Sequence, residues 1–244
     1  MSRWWQVSWK RVGITLLCCF AAAPVLEWAG TDAVVLYFAR QTIQEHPNLS
    51  IVPTPVPDKN IEMPNGITIN RFEFSFQVPW EEIEYEKNGK TVSLLDFKNG
   101  GTIIIFDPSI ALDRAKSIQE AAKTTHDAKV IRQVYGSRAL SSNYDFMASE
   151  LATSPSHVKW WASKTSNVKS VVLLNLKTTE ILDSNAIYQL SNNEMHGFQF
   201  GNPAVVPYRI ELNLFDRNDR RYHIIISSRD KQLLFYRSQI STRW

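Results

Sequence analysis

Apolar and polar residues alternate over 67–78, with Ile67, Ile69, Phe72, Phe74, Phe76 and Val78 apolar and one slip near Asn70-Arg71. Successive side chains of a strand point to opposite faces, so a period of two predicts one half-buried strand, with a bulge at the slip. Pro79-Trp80 ends it, and Glu81, Glu82, Glu84 and Glu86 follow in a short acidic segment, which reads as a solvated turn in preference to a cation site. Residues 91–97 and 102–106 are two further strands. Asn99-Gly100-Gly101 between them is a strong hairpin signal.

The period then changes. Asp107-Pro108-Ser109 opens a helix with proline near its first position, and Ile110, Ala111, Ala115, Ile118 and Ala122 keep helical spacing to about Lys123. Val130, Ile131 and Val134 continue that helix or form a short one. Asn143 caps a helix from Tyr144, with Phe146, Met147 and Leu151 facing inward. Ser154-Pro155-Ser156 restarts another, carrying Trp160 and Trp161. Residues 168–176 fit either a strand or a helix.

The last third returns to strands. Residues 186–190 and 197–200 flank a polar turn at Ser191-Asn192-Asn193. Residues 208–215 place Ile210, Leu212 and Leu214 on one side, Asp216-Arg217-Asn218-Asp219 turns, and 222–226 is the partner strand. Asp230 starts a final helix with Leu233, Tyr236, Arg237 and Ile240 on one face, or Leu233 to Tyr236 forms an edge strand. Strands, then helices, then strands joined by short turns predict an α+β class. The expectation is a single domain with an antiparallel sheet packed by helices, preceded by a hydrophobic N-terminal helix.

That N-terminal segment carries the clearest signal. Arg3, Lys10 and Arg11 precede fifteen residues, Val12 to Leu26, without a formal charge. A basic flank before an apolar stretch is the layout of a secretory signal. Cleavage after Ala21-Ala22-Ala23 meets Pro24, and Gly30 has Trp28 two positions before it, so neither is a good site. The competing reading is an uncleaved anchor, extended to about residue 40 through Ala33 to Phe38. It would be seated by Trp9, Val12, Ile14, Leu16, Leu17, Phe20, Val25, Leu26 and Trp28. Four of the eight tryptophans, Trp4, Trp5, Trp9 and Trp28, flank this run, as in the aromatic belt of a membrane surface. A third reading docks the segment on the domain as a buried helix. The anchor places the chain in an inner membrane, single-pass, with its C-terminal part outside the cytoplasm. The cleaved signal makes it secreted or periplasmic.

Five of the eleven prolines, Pro47, Pro53, Pro55, Pro57 and Pro64, follow. Proline removes donors and favours extended backbone, so a linker is expected, either a stalk or an arm lying along the domain. The organisation is therefore 1–40 anchor or signal segment, 41–65 proline-rich linker and 66–244 globular domain.

Composition removes several functions. The chain is 44% hydrophobic and 21% charged, as folded domains are. Setting Arg3, Lys10 and Arg11 aside leaves 24 residues of each sign, so the body lacks the basic excess of a nucleic-acid binder. Cys18 and Cys19 are the only cysteines and lie in the apolar run. The body therefore has no thiol nucleophile, zinc finger or disulfide framework. His46, His126, His157, His196 and His223 show no metal spacing. There is no Gly-x-Ser-x-Gly elbow and no phosphate-cradling glycine loop. No cofactor is expected, and no catalytic or metal residue stands out.

Candidate contacts for a ligand or partner are Trp80, Trp160, Trp161, His196, Phe198 and Phe200, aromatic residues that would otherwise be core or a bulged edge strand. The order of elements over 66–241 resembles the PsbP-like α/β/α sandwich superfamily, which includes extrinsic photosystem subunits and other exported, partner-binding proteins. The resemblance implies binding or assembly rather than catalysis and transfers no residue. The expectation is a membrane-anchored or exported, non-enzymatic binding or envelope-assembly module with a protein partner. Its rival is an exported hydrolase-like enzyme with a dispersed site. A pocket holding two or more carboxylates, or a carboxylate with His196 or His223, would favour the rival. A shallow, mostly apolar exposed patch would favour the module.

Overall fold

A computed structural model describes residues 32–56, 67–78, 80–98, 101–111, 114–124, 128–139, 141–159, 162–181, 184–191, 194–202, 205 and 208–228. Helices and a large, mostly antiparallel sheet make the chain α+β. It divides into two compact units. One comprises Met1–Val52, Ile118–Leu140 and Phe146–Asp183, and the other Pro53–Ser117, Ser141–Asp145 and Ser184–Trp244.

The second unit carries the sheet. Its strands are β1 (Thr54–Pro55), β2 (Ile67–Arg71), β3 (Phe74–Val78), β4 (Ile83–Asn88), β5 (Val92–Phe97), β6 (Gly101–Phe106), β7 (Ile187–Ser191), β8 (His196–Phe200), β9 (Arg209–Phe215) and β10 (Arg221–Ser228). Eight form one sheet in the order β1-β7-β8-β9-β10-β6-β5-β4, and β2 pairs with β3. Among the described residues all pairings are antiparallel except β1 with β7. The expected pairing of β9 with β10 holds, and so does that of β5 with β6.

One face of the sheet is apolar. Leu95, Phe97, Ile103, Ile105, Ile210, Leu212, Leu214, Tyr222, Ile224 and Ile226 all join one buried cluster with Ile69, Phe74, Phe76, Val78 and Trp80. Each fully buried side chain of this size stabilises by about 1.5–3 kcal/mol. The Phe74 ring stacks on Tyr222 at 5.0 Å between centroids, and Trp80 packs on Phe97 at 4.8 Å.

Residues 67–78 are two strands rather than one bulged strand. The slip is a hairpin turn: Phe72 and Glu73 have φ of 49° and 60°, the left-handed pair that a two-residue turn requires. Neither residue type announces such a turn. Glu73 is tied by an ion pair to Arg220 at 2.7 Å. The acidic segment is no turn either, because it supplies edge strand β4. Glu82 pairs with Lys98, whose pKa the pairing raises, and Glu86 pairs with Arg71.

The first unit is helical. α1 spans Asp32–Glu45, α2 Arg114–Thr124, α3 Ala128–Ala139, α4 Asn143–Ala152 and α5 Lys164–Ile181. The first turn of α4 and the start of α2 group with the sheet unit. α1 packs on α5, where Ala39 and Val171 are buried with Ile43, Val158 and Val168 against them. Phe146, Met147 and Leu151 of α4 are buried, as the spacing predicts. Residues 168–176 resolve as helix.

Several boundaries differ from expectation. Asp107 caps only a single 3-10 turn, Pro108–Ile110, by accepting from the Ser109 N–H at 2.7 Å, and α2 starts later. Ser154-Pro155-Ser156 likewise opens one 3-10 turn, Pro155–His157, before α5. The cap of α4 is Ser142, one residue earlier than Asn143, since its Oγ accepts from the Asp145 N–H at 3.0 Å. α3 bends at Gly136, whose φ is 76°. Residues 46–56 are an arm, not a free stalk. Leu49 is fully buried in the helical unit, while Thr54 and Pro55 pair with β7 and Val56 joins the sheet core.

The anchor residues Trp9 to Trp28, the rest of the linker and the final helix lie outside the described residues. Among the described residues no helix is long and apolar enough to cross a membrane. The expected helix over 12–40 is described only from Asp32, and it continues to Glu45.

Candidate functional site

Alternation that buries Ile210, Leu212 and Leu214 on one face sends Arg209, Glu211, Asn213 and Phe215 to the other. On β10 the same rule sends Arg221, His223 and Ile225 there, with His223 directly opposite Asn213 and Ile225 opposite Glu211. A polar row results. His223 Nε2 lies 2.8 Å from Glu211 Oε1, with side chains 28% and 18% exposed. Asn213 is fully buried. Its Oδ1 accepts from Arg221 Nε at 2.9 Å and Nη2 at 2.7 Å. Among the described residues no group accepts from Asn213 Nδ2. Phe106 stacks on the His223 ring at 4.7 Å and 12°.

The row has apolar neighbours. Register places Phe106, Ile104, Val92 and Leu94 on this same face, beside His223 and Ile225. All are half-buried. Arg209, with its side chain half exposed, lies 4.0 Å from Glu211.

A second cluster forms where the start of α4 meets β8 and β9. The Tyr144 ring contacts His196 edge-on at 4.0 Å, stacks on Phe198 at 5.4 Å and meets Phe215 at 5.8 Å. Gln189 donates to the Tyr144 hydroxyl at 2.8 Å. Asp219 holds the helix start, its carboxylate accepting from the Asn143 and Tyr144 N–H groups at 2.6 and 3.1 Å. Burial lowers the pKa of His196, against the opposing pull of Asp219, Asp145 and Asp216. Asp216 is itself buried and accepts from the Asn218 N–H, the Arg220 N–H and the Arg220 side chain.

The aromatic candidates are placed otherwise than as a common surface. Trp80, Phe198 and Phe200 are 2%, 1% and 1% exposed. Side chains so covered are packed inside the chain. Trp80 lies in the apolar core, whereas Phe198 meets Tyr144 on the opposite face of the sheet. His196 is half-buried, and Trp160 and Trp161 lie outside the described residues. Sequence reasoning named His223 but missed Glu211, Asn213 and Arg221 beside it. Their signal was the unread parity of two strands whose apolar parity was already known.

A histidine held by a carboxylate in a fixed orientation can take a proton from water or a hydroxyl group. The described residues gather no group of three metal-ligating side chains. No family model, no curated protein and no solved structure matches the chain.

Proposed function

We propose that this chain is a membrane-anchored or exported binding module with an assembly role in the cell envelope. The basic flank and apolar run of the N-terminus support the location. The face formed by β5, β6 and β10 carries the binding reading. Val92, Leu94, Ile104, Phe106 and Ile225 lie there half-buried, bordered by Arg209, Glu211 and His223. Apolar side chains with a charged margin are the composition of a partner-binding surface. The resemblance in element order to PsbP-like proteins points the same way.

The test joins fractionation to crosslinking. The tagged full-length chain is washed with alkaline carbonate, its N-terminus is sequenced, and a photo-crosslinking residue replaces Ile225 or, as control, the exposed Thr68. The reading expects an uncleaved membrane-bound chain, or one starting near residues 24–31, and a discrete crosslinked protein from position 225 alone. A soluble, intact cytoplasmic chain defeats the location. Equal crosslinking from both positions defeats the surface.

One observation favours a second reading, an exported hydrolase-like enzyme. The Glu211–His223 pair is the arrangement of an oriented general base. On that reading, purified chain turns over a panel of ester and phosphoester substrates, and His223→Ala and Glu211→Gln each abolish the turnover. Turnover that survives both substitutions sinks it.

A further inference from the structure

The outward face of α1 changes character along its axis. Its inner face is fixed by Ala39, which is 2% exposed, by Ile43 against Val171, and by Thr42 donating to Asn175 Oδ1 at 3.2 Å. Opposite them, the first two turns present Val34, Tyr37 and Phe38, which are 37%, 66% and 51% exposed. Tyr37 and Phe38 touch edge to face at 5.9 Å. The last turns present Gln41, Gln44 and Glu45, all exposed, with Gln41 donating to Glu45 at 3.1 Å. A groove-binding helix would carry its apolar stripe along its whole length, at i, i+3, i+4 and i+7. This one stops at the midpoint.

A lipid surface produces that gradient. The apolar run of the sequence ends at Leu26, and α1 begins at Asp32. Six residue steps reach at most about 20 Å even when fully extended. A chain whose apolar run is in a bilayer therefore starts α1 within about 20 Å of the end of that run, a reach that includes the headgroup layer, roughly 5–8 Å thick on each side. Tyrosine and phenylalanine are favoured there, and an interfacial helix buries its apolar side about 5–10 Å deep. We infer that Val34, Tyr37 and Phe38 of α1 rest in the lipid headgroup layer while Gln41, Gln44 and Glu45 stand in water. This rests on the membrane-anchored reading above.

The test uses the full-length chain with Cys18 and Cys19 changed to Ser, in vesicles of three parts phosphatidylethanolamine to one part phosphatidylglycerol. Single variants Tyr37→Cys, Phe38→Cys and Gln44→Cys carry an environment-sensitive fluorophore. These positions are exposed, so the label does not disturb packing. Brominated lipid should quench the labels at 37 and 38 roughly threefold or more over the label at 44, as their differing depths require. Equal, weak quenching at all three, with the chain still floating with the vesicles, overturns the seating and leaves the attachment intact. A blue-shifted label at 37 that brominated lipid does not quench also overturns it, because a protein then covers the face. A chain that does not float with vesicles removes the attachment reading, and this inference with it.

Discussion

The helical unit buries an ammonium and two carboxylates, and the sheet unit buries mainly hydrocarbon, with Asp216 as a buried carboxylate at one of its turns. In the helical unit Lys177, Glu150 and Glu180 are all within 7% of full burial. The Lys177 ammonium is fully buried and donates to four backbone carbonyls, those of Leu49 at 3.0 Å, Ile51 at 2.6 Å, Leu151 at 2.9 Å and Thr153 at 2.7 Å. Leu151 and Thr153 lie at the end of α4, where helical carbonyls lack partners and negative partial charge collects. Burial pulls the Lys177 pKa down to about 8, which keeps it mostly protonated at neutral pH. One cation thus fastens the arm after α1 and the end of α4 to α5. In the sheet unit the same task falls to interdigitated side chains, with Trp80 laid over Gly101. A charged latch fails all at once when its charge is removed. A packed core fails in proportion to the volume that is changed.

The sharpest way to break this contrast is Lys177→Met, which keeps the bulk and strands four carbonyls. The expected loss is about 3–5 kcal/mol in urea unfolding of the full chain, as for breaking a buried charged network. A loss below about 1 kcal/mol would mean that the arm is held by packing alone, since even one stranded buried group costs that much.

Gly101→Val tests the sheet unit. A Cβ at Gly101 would lie 2.2 Å from two atoms of the Trp80 ring. Overpacking of this kind costs about 1–3 kcal/mol. Trp80→Leu in the same chain should recover part of that loss, so the two substitutions should be non-additive in thermal unfolding. Strict additivity would separate the glycine from the ring.

Asp219→Ala removes the acceptor of the Asn143 and Tyr144 N–H groups at the start of α4. The expected cost is about 1–2 kcal/mol, the range for a lost helix cap. Hydrogen exchange at Asn143 and Tyr144 should rise more than exchange at the centre of α4. Unchanged exchange at those two amides would show that Ser142 caps the helix alone.

The smallest effect is a pH dependence. Burial lowers the folded-state pKa of His196 below its ordinary 6.5. The unfolded chain therefore binds the proton first as pH falls. The contribution of the neutral ring is full above 6.5 and is lost as pH drops below it, through the folded-state value. Wild type minus His196→Phe should show stability declining from pH 7 toward pH 5. A flat difference would mean that the surrounding carboxylates cancel the burial.

Legibility in the sequence followed how local each cause was. The β5–β6 hairpin was legible because Asn99-Gly100-Gly101 encodes its own turn. The β2–β3 turn was not, since Phe72 and Glu73 adopt left-handed backbone with Glu73 tied to Arg220 at the far end of the chain. Gly101 read as turn chemistry, yet its contact is with the Trp80 ring. The polar row was half legible. Parity put Glu211 and Asn213 opposite Leu212, but only the β9–β10 register set His223 beside them.

The sequence by itself determined the α+β class, the β5–β6, β7–β8 and β9–β10 pairings, and the inward faces of α4 and β9. Each follows from a period of 3.6 or 2 within one segment, where neighbouring residues dictate the outcome. Tertiary structure alone decided that the proline-rich arm packs, that Lys177 is a latch rather than a surface lysine, and that Trp80, Phe198 and Phe200 are interior. Those outcomes depend on what meets a side chain across the fold. Four carbonyls from two distant segments turn an amphipathic lysine inward, and no local pattern in 164–181 carries that information.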